Sequence, residues 1–220
     1  MTLRPRVCIV QCDTRDSNTG YIRSTILVNK KVACKLKYNY KYIKFTCDKG
    51  WDPKAYKLVV FKKIFNSKYY KSNFDTIVFI DSDAWVVNYK MLDRLINSKM
   101  YRSRKKIGFI SRDPKVGHNT FINSGVFIFK LNKTTSKLFN NLANSIADTP
   151  YKNKKWWDQQ LVSEYVEQNK QQFIICNDKM LNSPDGKIIA HHWHKKGEIS
   201  KVCKFNNVCD VFSINQNVDV

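Results

Sequence analysis

The sequence predicts an α/β fold: a single domain on a mostly parallel central sheet flanked by helices. Three observations carry that expectation. Short apolar, β-branched runs such as VCIVQ (7–11) and TIVFI (76–80) alternate with longer segments whose apolar residues recur at helical spacing. Strand–helix alternation of this kind is how parallel sheets are written. The chain is 220 residues long with 43% hydrophobic residues, enough to bury one core and about the length of one domain.

Each element follows from its own pattern. VCIVQ (7–11) reads as a buried strand, and CDTRDSNTG after it as a polar turn. Residues 21–37 carry Ile22, Ile26, Val32, Ala33 and Leu36 on one helical face. KYIKFT (41–46) is a second strand. Pro53 suits a helix start, and Leu58, Phe61, Ile64 and Phe65 continue that helix's apolar face. TIVFI (76–80) is the clearest strand and runs straight into Asp81. A helix near 89–98, strands near 106–111 and 125–131, and helices near 134–147 and 157–170 follow. FIIC (173–176) and IIAHH (188–192) close the series. The ordered pattern occupies residues 1–200, with 201–220 as a C-terminal tail.

Composition bounds the function. There are 39 Lys and Arg against 18 Asp and Glu, a formal net charge of +21. Low Gly and Pro exclude collagen-like and linker-dominated chains, and the apolar content excludes disorder. Of the basic residues 31 are Lys, and Asn is abundant too, a bias that AT-rich coding produces. The charge equally fits attraction to phosphate, in nucleic acid, a nucleotide or anionic lipid. Seven cysteines with no CxxC pair write neither a zinc ribbon nor a full disulfide framework. MTLRPRVCIVQCD is too short an apolar run for a signal peptide, and no segment reaches the ~18 apolar residues of a span. The expected location is cytoplasmic, the infected cytoplasm in the case of a viral protein.

Four motifs carry chemistry. Asp81-Ser82-Asp83 closes the TIVFI strand. In extended backbone the two carboxylates share a side, about 6 Å apart, and repel by roughly 3 kcal/mol at an effective dielectric near 20. A divalent cation reverses that repulsion, and strand carboxyl ends are where open α/β sheets bind ligands. Asn123-Ser124-Gly125 opens an apolar strand, reading as a tight bend where backbone approaches something closely, or simply as a loop. Trp156-Trp157-Asp158-Gln159-Gln160 is either a helix start with Asp158 as its cap, or an aromatic wall with polar groups aimed at a hydroxyl-rich ligand. His191-His192-Trp193-His194-Lys195-Lys196-Gly197 places three of the four histidines together. Imidazole beside Asp oxygens suits Mn²⁺ or Zn²⁺ better than Mg²⁺.

In this order, DSDAWVVN, INSGVFIF, WWDQQ and a terminal His-x-x-Gly resemble the nucleotide-sugar-dependent glycosyltransferases of the GT-A (Rossmann-like) fold. They are most similar to family 34, which includes fungal α-galactosyltransferases and plant xyloglucan xylosyltransferases. VQCDTR, Asn29, and Trp51 with Lys54 and Lys57 fit the same pattern, so the likeness spans residues 7–197. It implies transfer of a hexose or pentose from a UDP-linked donor to a hydroxyl of a glycan or glycoprotein. Mn²⁺ is the implied metal, with Mg²⁺ as the alternative. Asp81 would lie near the ribose or the metal, Asp83 would be the main carboxylate ligand, and His194, with Gly197 three residues on, matches the metal-binding His. His192 is a further ligand candidate. Asp13 and Arg15 occupy the segment lining the nucleotide pocket, beside Ser82. Asn123 and Gly125 would flank donor sugar and acceptor, and Asp158 and Gln159 would hold the transferred sugar. Lys196 is a diphosphate candidate by charge and position. Gln159 is a poor nucleophile, which favours same-face attack and retention over a covalent intermediate. Lys195 departs from the Phe usual after the terminal His.

Other readings stay open on the residues alone. The net charge and the Lys–Tyr interleaving at 35–44 and 68–71 fit a basic nucleic-acid-binding protein, without any recognised motif for it. Paired carboxylates also serve metal-dependent nucleotidyltransferases, which commonly gather a third carboxylate. The histidines with Cys203 would make a structural zinc site.

Overall fold

The structure, a computed structural model, describes residues 4–48, 50–98, 101, 103, 105–113, 122–147 and 157–192. Its centre is a six-stranded sheet in the order β2-β1-β3-β6-β5-β7. The strands are β1 (Val7–Asp13), β2 (Asn39–Lys44), β3 (Thr76–Ile80), β5 (Gly108–Arg112), β6 (Ile122–Lys130) and β7 (Phe173–Cys176). The pairs β1/β2, β1/β3 and β5/β7 are parallel, and β6 runs antiparallel to both β3 and β5. A two-stranded antiparallel ribbon stands apart, made of β4 (Ala84–Val86) and β8 (Ile189–His191).

Period-two alternation splits the core into two layers. Cys8, Val10, Ile77, Phe79, Phe127 and Phe129 face one side of the sheet. There they meet α2 (Pro53–Asn66), α5 (Lys133–Ala147) and α6 (Trp157–Gln168). Phe61 of α2 lies at the centre of that layer, 4.4 Å between ring centroids from Phe79 and 5.3 Å from Phe139. Val7, Ile9, Val78, Ile80, Val126 and Ile128 face the other way, towards Val32 and Leu36 of α1 (Gly20–Leu36) and Leu92 and Ile96 of α4 (Tyr89–Ile96). Local signals start and stop the helices. Asp52 accepts from the Lys54 amide with Pro53 in the first turn of α2, and Asn88 accepts from the Met91 amide to begin α4. The short α3 (Lys68–Asn73) and α7 (Asp178–Leu181) have no counterpart in the sequence expectation.

Two local expectations are corrected. Asn123-Ser124-Gly125 is not a bend before a strand: it lies inside β6, which starts at Ile122 because Ile122 and Asn123 pair with Arg112 and Ser111, while Ser124, Gly125 and Val126 bulge out of the register with β5. Asp81-Ser82-Asp83 is not extended either. It forms a turn closed by the Ala84 amide donating to the Asp81 carbonyl, 3.0 Å. The expected tail at 201–220 lies outside the described residues, as does Cys203 of the zinc alternative; the five described cysteines form no disulfide. Among the described residues no helix is long and apolar enough to cross a membrane.

Candidate active site

Because β1 and β3 are parallel and β6 antiparallel, Asp13, Asp81 and Asn123–Gly125 reach the same edge of the sheet. Three side chains hold the Asp81–Val86 backbone there, and a fourth, Asp13, holds the Ser82 side chain. Gln11 donates to the Asp81 carbonyl at 3.1 Å and is itself fixed by the Tyr40 hydroxyl. Thr25 donates to the Ser82 carbonyl, 2.8 Å. Fully buried Asn29 donates to the Ala84 carbonyl and accepts from the Val86 amide, replacing the missing strand neighbour of β4. Asp13 accepts from the Ser82 hydroxyl at 2.5 Å and from the Arg15 guanidinium at 2.6 and 2.8 Å. Burial works against ionisation of Asp13, but the Arg15 and Ser82 bonds outweigh it and hold the carboxyl below its ordinary range. Arg15 lies over the Tyr21 ring at 5.2 Å, and its own carbonyl accepts from Tyr42.

Pairing of β4 with β8 sets Ala84 opposite His191 and brings that imidazole over the Asp turn. His191 Nε2 is 3.0 Å from Asp83 Oδ1 and 3.8 Å from Asp81 Oδ2. One ligand atom from each of Asp81, Asp83 and His191 lies within 4.8 Å of the others, a donor set of two carboxylates and an imidazole that fits Mn²⁺. The expectation of His194 falls outside the described residues, as does Lys196. His192 donates its amide to the Asp83 carbonyl, and its ring stacks on Trp85 with centroids 5.0 Å apart. The described imidazole that joins the two aspartates is therefore His191.

Gly125 has a steric role here. A Cβ on it would stand 2.2 Å from His191 Cε1 and 2.6 Å from Nδ1, so the close backbone approach anticipated at this glycine is to the imidazole.

A second ionic group adjoins the first. Buried Lys57, on the inner face of α2, reaches Asp81 Oδ1 at 3.1 Å, Asp158 Oδ2 at 3.4 Å and the Ser124 carbonyl at 3.4 Å. Burial opposes its charge, but Asp81 and Asp158 outweigh burial and push its pKa up. Burial likewise pushes the Asp81 carboxyl up, with Lys57 and His191 pulling against it and Asp83 adding to it. Asp158 is not exposed as a helix cap: it is buried at 2% exposure and accepts from the Ser124 hydroxyl at 2.8 Å. Gln159 is also buried, accepting from the Ser124 amide through Oε1 and donating to Asp113 through Nε2.

The structure thus gathers Asp13, Arg15, Ser82, Asp81, Asp83, Asn123, Gly125, Asp158 and Gln159 at one sheet edge. Sequence reasoning did not single out Asp113 or Asn182, and named Lys57 only within the family pattern. Lys57 did leave a signal, since it shares the apolar face of Phe61 and Ile64 at helical spacing. Asp113 and Asn182 left none.

No family model and no curated protein matches the sequence. Solved structures do match its fold. One is a glycosyltransferase involved in glycosylation of the major capsid of the virus PBCV-1, with TM-score 0.73, 16% identity, and 91% of this chain and 99% of that one covered. Another is the glycosyltransferase GlyE of Streptococcus pneumoniae TIGR4, with TM-score 0.57 and 12% identity over 94% of this chain and 61% of that one. The chain has the fold of these glycosyltransferases: helices on both faces of a mixed, largely parallel sheet.

Proposed function

We propose that the protein is a metal-dependent glycosyltransferase that moves a sugar from a nucleotide donor, UDP-linked in the first instance, to a hydroxyl of a glycan or glycoprotein, with retention. The observation that carries this reading is the convergence of Asp81, Asp83 and His191 at the ends of the strands, beside the Lys57–Asp158–Ser124 network, in a fold shared with glycosyltransferases. Order and spacing of the motifs favour a GT-A enzyme of the family 34 kind.

Mn²⁺, with Mg²⁺ as alternative, would be held by Asp81, Asp83 and His191 and would supply the positive charge that stabilises a departing nucleoside diphosphate. Lys57 orients Asp81 and favours its ionised form against the burial that pushes that carboxyl up. The Asp13, Arg15 and Tyr21 surface offers a hydrogen-bonding and stacking face for the nucleoside, beside Ser82. On the sugar side, Asp158 is tied to Lys57 and Ser124, and Gln159 to Ser124 and Asp113, so neither presents a free carboxylate nucleophile. Retention then follows from same-face attack. The acceptor oxygen bonds to the anomeric carbon as the bond to the diphosphate oxygen breaks, and the acceptor proton passes to the departing phosphate. Asn123 and Gly125 border that space, and Lys196 remains a diphosphate candidate by charge. A nucleotidyltransferase is the weaker reading, because the group that joins Asp81 and Asp83 is an imidazole, His191, where such enzymes commonly gather a third carboxylate.

The test is a panel of nucleotide sugars with and without Mn²⁺, read by release of nucleoside diphosphate, with Asp83→Ala as control. A Mn²⁺-dependent release from one donor, lost in the variant, is expected. Release that ignores both Mn²⁺ and Asp83→Ala would refute the site, and an inverted product seen by NMR would refute retention.

A further inference from the structure

His191 is anchored through its second ring nitrogen. Nδ1 lies 2.7 Å from Asn182 Oδ1, and Asn182 is itself fully buried, at 0% exposure. The other end of the Asn182 amide, Nδ2, lies 3.3 Å from the backbone carbonyl of Asn123. A backbone carbonyl only accepts hydrogen bonds, so that end must be the NH₂ and the oxygen must face the imidazole. An amide oxygen likewise only accepts, so the ring nitrogen facing it carries the hydrogen. In the neutral imidazole that leaves the lone pair on Nε2, the atom 3.0 Å from Asp83 and 3.8 Å from Asp81. The chain of constraint runs from β6, through Asn182 just beyond α7, to the ring at the end of β8.

We infer that Asn182 is a positioning residue that fixes the orientation and tautomer of His191, so that Nε2 is presented to a divalent cation held with Asp81 and Asp83. The inference rests on the metal site proposed above and adds a residue that touches neither cation nor substrate. Second partners of this kind set the basicity and aim of ligating histidines, and their loss typically weakens metal binding on the order of 10–100-fold.

The experiment measures Mn²⁺ alone binding to the full chain, by loss of the free-ion electron paramagnetic resonance signal. Wild type, His191→Ala, Asn182→Leu and Asn182→Asp are compared, each checked for folding by thermal unfolding. A second readout is the tautomer of His191, taken from long-range ¹H–¹⁵N correlations in the Mg²⁺-loaded, histidine-labelled protein. With only 4 histidines in the chain, the rings are separable. Asn182→Leu should weaken Mn²⁺ binding by about 10–100-fold. Asn182→Asp should recover most of it, since a carboxylate also accepts from Nδ1–H, and the wild-type ring should carry its hydrogen on Nδ1. If His191→Ala weakens binding but folded Asn182→Leu does not, the inference fails and the metal site stands. Failure of Asn182→Asp to recover binding, or a hydrogen found on Nε2, overturns it as well. A wild type that binds no Mn²⁺, or is indifferent to His191→Ala, overturns the site and the inference together.

Discussion

Gly125→Ala is the sharpest perturbation of this site because it adds one carbon and removes nothing. The new Cβ would sit 2.2 Å from His191 Cε1, 2.6 Å from Nδ1 and 3.0 Å from Asn123 Oδ1. Ordinary contact begins near 3.4 Å, so the imidazole must retreat by about 1 Å. His191 is 5% exposed and held from both nitrogens, by Asn182 and Asp83, so it has little room to do so. Overpacking costs about 1–3 kcal/mol, and the weakened hydrogen bond from Nδ1 to Asn182 about 1 kcal/mol. A loss of roughly 2–4 kcal/mol follows, which for a chain of this size lowers Tm by about 5–15 °C. Mn²⁺ binding should weaken with it, because Nε2 moves away from Asp81 and Asp83. Thermal unfolding and Mn²⁺ titration read the two effects. The decisive control is the same substitution in a His191→Ala background: with the ring gone, Gly125→Ala should cost under about 1 kcal/mol. An equal cost in both backgrounds would refute the steric argument.

Two further perturbations address the charged groups. Lys57→Met leaves Asp81 and Asp158 facing each other without their shared cation, and should destabilise by about 3–5 kcal/mol. Adding Asp158→Asn should recover part of the loss, and denaturant unfolding that finds Lys57→Met as stable as wild type would count against the network. For Asp13 the folded-state carboxyl lies below the ordinary aspartate value of 3.8. The unfolded chain therefore takes up its proton first as pH falls. Its stabilising contribution is full above that ordinary value and disappears as pH drops through the lower folded-state value. Arg15→Gln removes the main partner and should move acid unfolding, followed by circular dichroism, to higher pH. Coincident acid midpoints would contradict the pairing.

Much of the fold was legible because its signals are local. Cys8 and Val10 against Val7 and Ile9, or Ile77 and Phe79 against Val78 and Ile80, name the two faces of a strand through their alternation alone. The spacing of Leu58, Phe61, Ile64 and Phe65 names the buried side of α2. Two aspartates closing an apolar strand mark the end of the sheet where the candidate site gathers before any coordinate is known. The reach of β6 was misjudged because Asn123 carries turn propensity, which its pairing with Ser111 of β5 overrides.

The sequence by itself therefore determined the α/β layering, the edge of the sheet that matters, and most of the polar residues gathered there. Periodicity and strand-end position are properties of short segments, and short segments are what a sequence displays. Only the tertiary structure showed which of the described histidines joins Asp81 and Asp83, since that depends on the antiparallel register of β4 and β8, about a hundred residues apart in the chain. It alone showed that Lys57 is shared by Asp81 and Asp158, that Gly125 makes room for an imidazole, and that Asn182 holds that imidazole from behind. Those facts are distances between side chains on separate elements, and no local pattern encodes them.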